Sequence, residues 1–254
     1  MKEKKIDING QTINYLKVGN GKKIVFLLPG ALGTIWTDFR AQIEKFDKNK
    51  LTLVVWDPPG FGKSRPPERT FDTNLYRSDA EFAVKLMEKL NIPKYSLVGW
   101  SGGGIASLII AGKYPERIEA LIQWGGKSFI MEEEIEGLKK IRDVSKWSNA
   151  MKKPMEEIYG EAQFKELWAN WVDTIELCYK QNDDFCDKLI SNIKCPTLIV
   201  HGGQDSVTHA DHATYLHQKI AGSKLHIFPD GKHNLHLKYA DELNDMITKF
   251  VEAV

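Results

Sequence analysis

Six short apolar runs recur along the chain, with helical patterns between most of them. They are Lys23–Pro29 (KIVFLLP), Leu51–Asp57 (LTLVVWD), Tyr95–Trp100 (YSLVGW), Ile118–Trp124 (IEALIQW), Pro196–Gly202 (PTLIVHG) and Lys224–Pro229 (KLHIFP). Runs this short and this apolar read as strands covered on both faces, which is the situation of parallel strands. Asn74–Leu90 places Leu75, Ala80, Phe82, Ala83, Leu86, Met87 and Leu90 on one helical stripe. Asp241–Val254 does the same with Leu243, Met246, Ile247, Phe250 and Val251. Strands alternating with helices specify an α/β fold, a mostly parallel central sheet flanked by helices. Ahead of it, Lys4–Ile8 and Thr12–Val18 alternate polar and apolar about the turn NGQ, as a hairpin at a sheet edge does.

The alternation breaks once. No strand pattern falls between Gly125 and Ile193, where helical periodicity carries Phe129, Trp147, Phe164, Trp168 and Trp171. A strand brackets this block on each side, so residues 127–193 read as an insertion after the sixth strand, and residues 1–126 and 194–254 as one core domain. Insertions at the carboxyl ends of strands overhang the functional edge of such sheets, which makes a lid the expected role. The alternative is a helical elaboration that plays no part at the site.

Charge narrows the possible partners. Thirty-five Lys and Arg against 34 Asp and Glu leave a net charge of +1, and neither nucleic acid nor a membrane surface is expected as a partner. Cys178, Cys186 and Cys195 lack CxxC spacing and read as free thiols, with no zinc site or other metal. The opening MKEKKIDING has no apolar core of a secretory signal. A cytoplasmic monomer is expected, or a mitochondrial one if a presequence has been removed.

The stretch GWSGGG at Gly99–Gly104 admits three readings. A dinucleotide fingerprint needs spaced glycines after the first strand of its unit, and these are contiguous after an internal one. DPPGFGKS resembles the tail of a phosphate-binding P-loop, yet Asp57 stands where that loop needs its first glycine. What remains is G-x-S-x-G between a strand and an apolar helix at Gly103–Ala111, the setting of a nucleophile elbow, with a glycine-rich packing turn as the bland alternative. Ser101 is then the nucleophile, and the N–H of Gly102 an oxyanion donor. The loop PGALG after the Lys23–Pro29 strand offers the second donor, Ala31, with Leu32 as its alternative.

A serine nucleophile needs a base and an orienting acid. His226 lies within the last strand, while His209, His212 and His217 fall in or beside an amphipathic helix and read as surface residues. His201 ends a strand, where a structural hydrogen bond is the better reading. His233, on the loop after the final strand, is favoured as base over His236, which begins a helix that Asn234 is placed to cap. Asp205, after the preceding strand, is the acid, and Asp57 reads as a turn-stabilising residue. The order Ser101, Asp205, His233 is the one this kind of fold requires. Leu32, Trp100, Trp124 and Lys127 flank the strand ends as substrate contacts, with Lys127 equally readable as a solvated loop lysine.

Six segments then carry a resemblance: LLPGALG, WDPPGFGKSRPP, GWSGGG, IRDVSKWS, CPTLIVHG and GKHNLHLKYADE. By them the chain resembles the α/β-hydrolase family over nearly its whole length, and within it serine hydrolases of α-amino-acid esters. The resemblance implies an α/β-hydrolase fold, triad positions at Ser101, Asp205 and His233, and a helical lid from Gly125 to about Ile193. It implies a small ester substrate, an acyl-enzyme and no cofactor. In those relatives an aspartate follows the nucleophile and holds the substrate's α-ammonium, whereas this chain has Gly102. Because residue 102 opens a helix, aspartate there is expected to fit and to shift selectivity toward amino esters. The rival readings are a carbon–carbon bond hydrolase or small aminopeptidase on the same fold, and a ligand receptor with little catalysis.

Overall fold

A computed structural model describes residues 1–254. All eight expected strands form: β1 (Lys4–Ile8), β2 (Gln11–Val18), β3 (Lys23–Leu28), β4 (Leu51–Trp56), β5 (Tyr95–Trp100), β6 (Ile118–Trp124), β7 (Thr197–Gly202) and β8 (Lys224–Phe228). Pro29, Pro196 and Pro229, which bounded the expected runs, all fall just outside the ladders, where a residue without an N–H belongs. The strands lie in the order β1-β2-β4-β3-β5-β6-β7-β8. The pairs β1/β2 and β2/β4 are antiparallel and every other pair is parallel. Asn9 (φ 56°) and Gly10 (φ 82°) make the tight turn of the edge hairpin.

The apolar strands feed two separate cores, one on each face of the sheet. Phe26, Leu28, Leu97, Leu121 and Ile199 point into the larger one. It is covered by α3 (Leu75–Lys89), α4 (Gly102–Lys113) and α8 (Ala210–Lys219). Their strand neighbours Val25, Leu27, Val98, Ile122 and Val200 point the other way. There α1 (Ile35–Asp38), α2 (Arg40–Lys45), the short α9 (Leu235–Lys238) and α10 (Ala240–Glu252) close over them. Side chains alternate along a strand, so an unbroken apolar run is what a sheet buried on both faces demands. The rule weakens only at the outer edge, where Ile227 of β8 is exposed.

The insertion contains no strand. It holds α5 (Glu132–Ile141), α6 (Asn149–Tyr159) and α7 (Glu161–Lys180). Trp147, Trp168 and Trp171 meet ring to ring at 4.7 and 4.8 Å, with Phe164 against Trp147, and form the insertion's own aromatic nucleus. Tyr159 and Trp171 are among the side chains that tie it to the rest of the fold. The Tyr159 hydroxyl donates to the Leu32 carbonyl at 2.7 Å and accepts from the Gly62 N–H at 3.1 Å. The Trp171 indole N–H donates to the Tyr76 hydroxyl at 3.1 Å. No helix is long and apolar enough to cross a membrane.

Candidate active site

Ser101 stands at the sharp turn between β5 and α4 with φ 53° and ψ −118°, a conformation L-residues rarely adopt. The turn closes only because its neighbours lack side chains. A Cβ on Gly99 would lie 2.5 Å from the Gly103 carbonyl oxygen, and one on Gly103 would run into the Leu28 and Pro29 carbonyls. The Ser101 N–H donates to the Trp124 carbonyl at 2.9 Å, which pins the turn to β6.

The sheet brings Asp205, from the loop after β7, and His233, from the loop after β8, to the same edge. His233 Nε2 lies 3.0 Å from Ser101 Oγ, and His233 Nδ1 lies 2.8 Å from Asp205 Oδ2. The other Asp205 oxygen accepts from the Val207 and Thr208 N–H groups. Burial alone would raise the Asp205 pKa, but the His233 hydrogen bond and charge and the two N–H donors hold it below the usual carboxylate range. A carboxylate facing Nδ1 selects the tautomer with its proton there, leaving the Nε2 lone pair toward the serine. Trp100 braces His233 from behind, its indole N–H donating to the His233 carbonyl at 3.0 Å.

Beside the serine stand two main-chain amides. Gly102 is the first residue of α4, so its N–H has no acceptor within the helix. The Ala31 N–H makes no hydrogen bond within the protein and lies 3.4 Å from where a Cβ on Gly102 would be. The loop that carries it is held by Asp38, whose carboxylate accepts from the Gly30 N–H at 2.8 Å. Burial raises the Asp38 pKa to about 7, against the opposing pull of Thr37 and Gly30.

A strained serine, an aligned imidazole and carboxylate, and unpaired amides at a helix start now stand together at the carboxyl edge of a parallel sheet. Residues 23–157 match the model of the alpha/beta hydrolase fold family. The chain belongs to the α/β-hydrolase family. It is 44% identical over 250 residues to the mouse protein named serine hydrolase BPHL, covering 98% of this chain and 86% of that one. It is 30% identical to a 2-hydroxy-6-oxononadienedioate/2-hydroxy-6-oxononatrienedioate hydrolase of Escherichia coli, covering 94% and 90%. Among solved structures, the meta-cleavage product hydrolase of Pseudomonas fluorescens superposes with a TM-score of 0.80 at 21% identity, covering 98% and 97%.

This α/β hydrolase departs from several sequence expectations. Lys127 does line the pocket that reaches Ser101, together with Tyr76, Gly102, Ile105, Trp171 and Thr208. It is not a solvated loop lysine: it is buried, with its ammonium 2.9 Å from Glu134. The other three expected contacts serve the scaffold. Trp124 is wholly buried and its indole N–H donates to His236. The Leu32 side chain is buried in the core while its carbonyl takes the Tyr159 hydroxyl. Trp100 holds the His233 loop, and neither it, Trp124 nor Leu32 lines the pocket.

Among the histidines, His212 is not at the surface but buried, 3.1 Å from Glu134. His201 is buried too, without the expected partner for its Nε2. His236 is buried among aromatic rings, its own ring 4.4 Å from Trp100 and 5.4 Å from Trp124. Burial and the neighbouring His233 lower its pKa to about 3. Asn234 makes no side-chain cap. Asp57 does brace turns, accepting from the Ile35 and Lys63 N–H groups.

The position after the serine brings the largest correction. A Cβ on Gly102 would lie 2.9 Å from Tyr76 Cε1 and 3.6 Å from the Tyr76 hydroxyl. The space an aspartate would take here is filled by Tyr76, a buried ring packed edge-on against Phe185. Helix-start electrostatics favour a carboxylate at residue 102, but the packing leaves it no room. Neither Tyr76 nor Trp171 is expected at the site from sequence: Trp171 reads only as one of the insertion's helical aromatics, and Tyr76 is not one of the residues that mark the apolar stripe of its helix.

Proposed function

We propose that this chain is a serine hydrolase of small carboxylic esters that works through an acyl-enzyme. The observation that carries this reading is the unbroken hydrogen-bonded line from Asp205 through His233 to Ser101 beside two unpaired amides. Its 44% likeness to a serine hydrolase supports the same chemistry. Ser101 Oγ bonds to the ester carbonyl carbon as His233 Nε2 takes its proton. The carbonyl oxygen becomes an oxyanion facing the N–H groups of Ala31 and Gly102. Collapse breaks the bond to the alcohol oxygen, which leaves with the proton from His233. Water then attacks the acyl-enzyme, giving its proton to His233, and Ser101 is regenerated as the acid departs. Asp205 keeps the imidazole in the productive tautomer and stabilises its protonated form.

The helical insertion acts as a lid in this reading. Trp171 and Ile175 from α7 and Leu138 from α5 line the pocket with Ser101, so the insertion forms its outer wall. Removing the nucleophile tests the proposal. Ser101→Ala should lose labelling by a fluorophosphonate probe and lower kcat on an activated ester by on the order of 10⁴–10⁶. Undiminished turnover by a folded Ser101→Ala protein would end it.

A further inference from the structure

The polar groups around the pocket have an asymmetry that bears on substrate choice. The pocket lining contains no carboxylate, and the nearest one, Asp205, is already engaged. The Gly125 carbonyl takes the Thr208 hydroxyl at 3.1 Å, and both Asp205 oxygens are held. Two donors remain. The Tyr76 hydroxyl accepts from Trp171, which leaves its own proton without a protein acceptor. Burial raises its pKa, so it stays a neutral phenol. The Lys127 ammonium carries three donors, and Glu134 is its only partner.

Glu134 does not cancel this donor character. It does not line the pocket, whereas Lys127, its partner at 2.9 Å, does, so of the two charged residues only the cationic one borders the space beside Ser101. Its carboxylate is also shared among other donors. The Met131 N–H lies at 3.0 Å, the His209 N–H at 3.1 Å and His212 Nε2 at 3.1 Å. Burial would raise the Glu134 pKa, but His212 and Lys127 more than offset it and hold it at about 2. A carboxylate so engaged has little acceptor capacity left for a substrate ammonium.

We infer that the acyl pocket selects short acyl groups bearing a carboxylate, held by the Lys127 ammonium and the Tyr76 hydroxyl, over acyl groups bearing an ammonium. The inference rests on the ester-hydrolase reading above. A substrate ammonium would find no carboxylate in the lining and a lysine beside it, while a substrate carboxylate meets two donors with protons to spare. The same pocket turns its cationic side to the acyl chain and has no carboxylate at residue 102.

Three ethyl esters of matched chain length test this: ethyl hydrogen succinate, ethyl butyrate and β-alanine ethyl ester. They differ only in a terminal carboxylate, methyl or ammonium, and product acid is followed by chromatography. A charge-assisted hydrogen bond gained by one substrate corresponds to roughly 10- to 100-fold in kcat/KM. The wild-type protein should favour the succinate ester over the butyrate ester by that factor, and the amino ester should be the poorest. Lys127→Met should collapse the succinate-to-butyrate ratio toward one, and Tyr76→Phe should reduce it in part. Lys127→Met strands Glu134, so the double variant with Glu134→Gln is measured beside it. Because each ratio is taken within one protein, a loss of activity common to all esters cancels. Equal or better turnover of the butyrate or amino ester by wild type overturns the inference while leaving ester hydrolysis intact. No turnover of any ester, with Ser101 unlabelled by a fluorophosphonate, overturns the reading beneath it instead.

Discussion

Replacing Gly102 by alanine adds one methyl group 2.9 Å from Tyr76 Cε1. Carbon atoms in contact prefer separations of about 3.5–4.0 Å, so the ring must retreat by well over half an ångström. Its retreat is resisted: the ring is 5% exposed, packs on Phe185 with centroids 5.2 Å apart, and its hydroxyl holds the Trp171 indole. Forcing a methyl group into such a site costs about 1–3 kcal/mol. Alanine recovers up to about 1 kcal/mol of helix propensity over glycine, and less than that in a first turn. Gly102→Ala should therefore be destabilised by about 1–2 kcal/mol in urea denaturation, read as a lower midpoint at unchanged slope. In a Tyr76→Ala background the obstruction is gone and the propensity gain stands alone, so the same substitution should become neutral or stabilising. The coupling between the two positions should be about 1–3 kcal/mol. Additive effects within about 0.5 kcal/mol would refute the steric account of residue 102. The cycle also decides the fate of aspartate there, which the Tyr76→Ala background should accept and the wild-type background should not.

His233→Ala should be nearly as damaging to turnover as Ser101→Ala, whereas His236→Ala should lower the urea midpoint, by on the order of 3 kcal/mol, with turnover per folded molecule far less reduced. A reversed ranking in initial rates would move the base to His236. His236 has a folded pKa of about 3, below its ordinary value of 6.5, so the unfolded chain binds the extra proton first. Its contribution to stability is present above pH 6.5 and is lost as pH falls from there toward 3. His236→Gln should flatten that part of the stability–pH curve, and an unchanged slope would show that the ring is not the titrating group. Tyr159→Phe strips the Leu32 carbonyl and the Gly62 N–H of their shared partner, at a cost of about 1–3 kcal/mol. It should speed proteolysis within the insertion and lower kcat. Unchanged cleavage and kcat would show that the tie carries no load.

Ser101, Asp205 and His233 were legible because each lies within a few residues of a strand end. The apolar runs locate the strand ends, parallel connectivity puts those ends on one edge, and glycines mark where the backbone must turn. The placing of the Ala31 and Gly102 amides beside Ser101 follows the same logic, since backbone groups depend on loop position and not on side-chain identity. Lys127 was found, but not its burial: its partner Glu134 lies seven positions away on a helix, and His212 arrives from beyond β7. That cluster is a product of three elements meeting, and no one stretch of sequence records it. Trp124 and Leu32 were misplaced for a related reason. A strand-end residue faces either the site or the layer beneath, and alternation alone does not say which once both faces are apolar.

The insertion leaves the sheet after β6 and returns at β7, while Ser101, Asp205 and His233 hang from β5, β7 and β8. Ser101, Asp205 and His233 thus come from one part of the chain, and Lys127, Glu134, Trp171 and the outer wall from another that contributes no strand. Substitutions among the residues of that part that line the pocket should alter which molecules are admitted without touching a strand pair. A chimera that exchanges this segment alone should take on part of the donor's appetite, the part not set by Tyr76 and Gly102, and keep the host's chemistry.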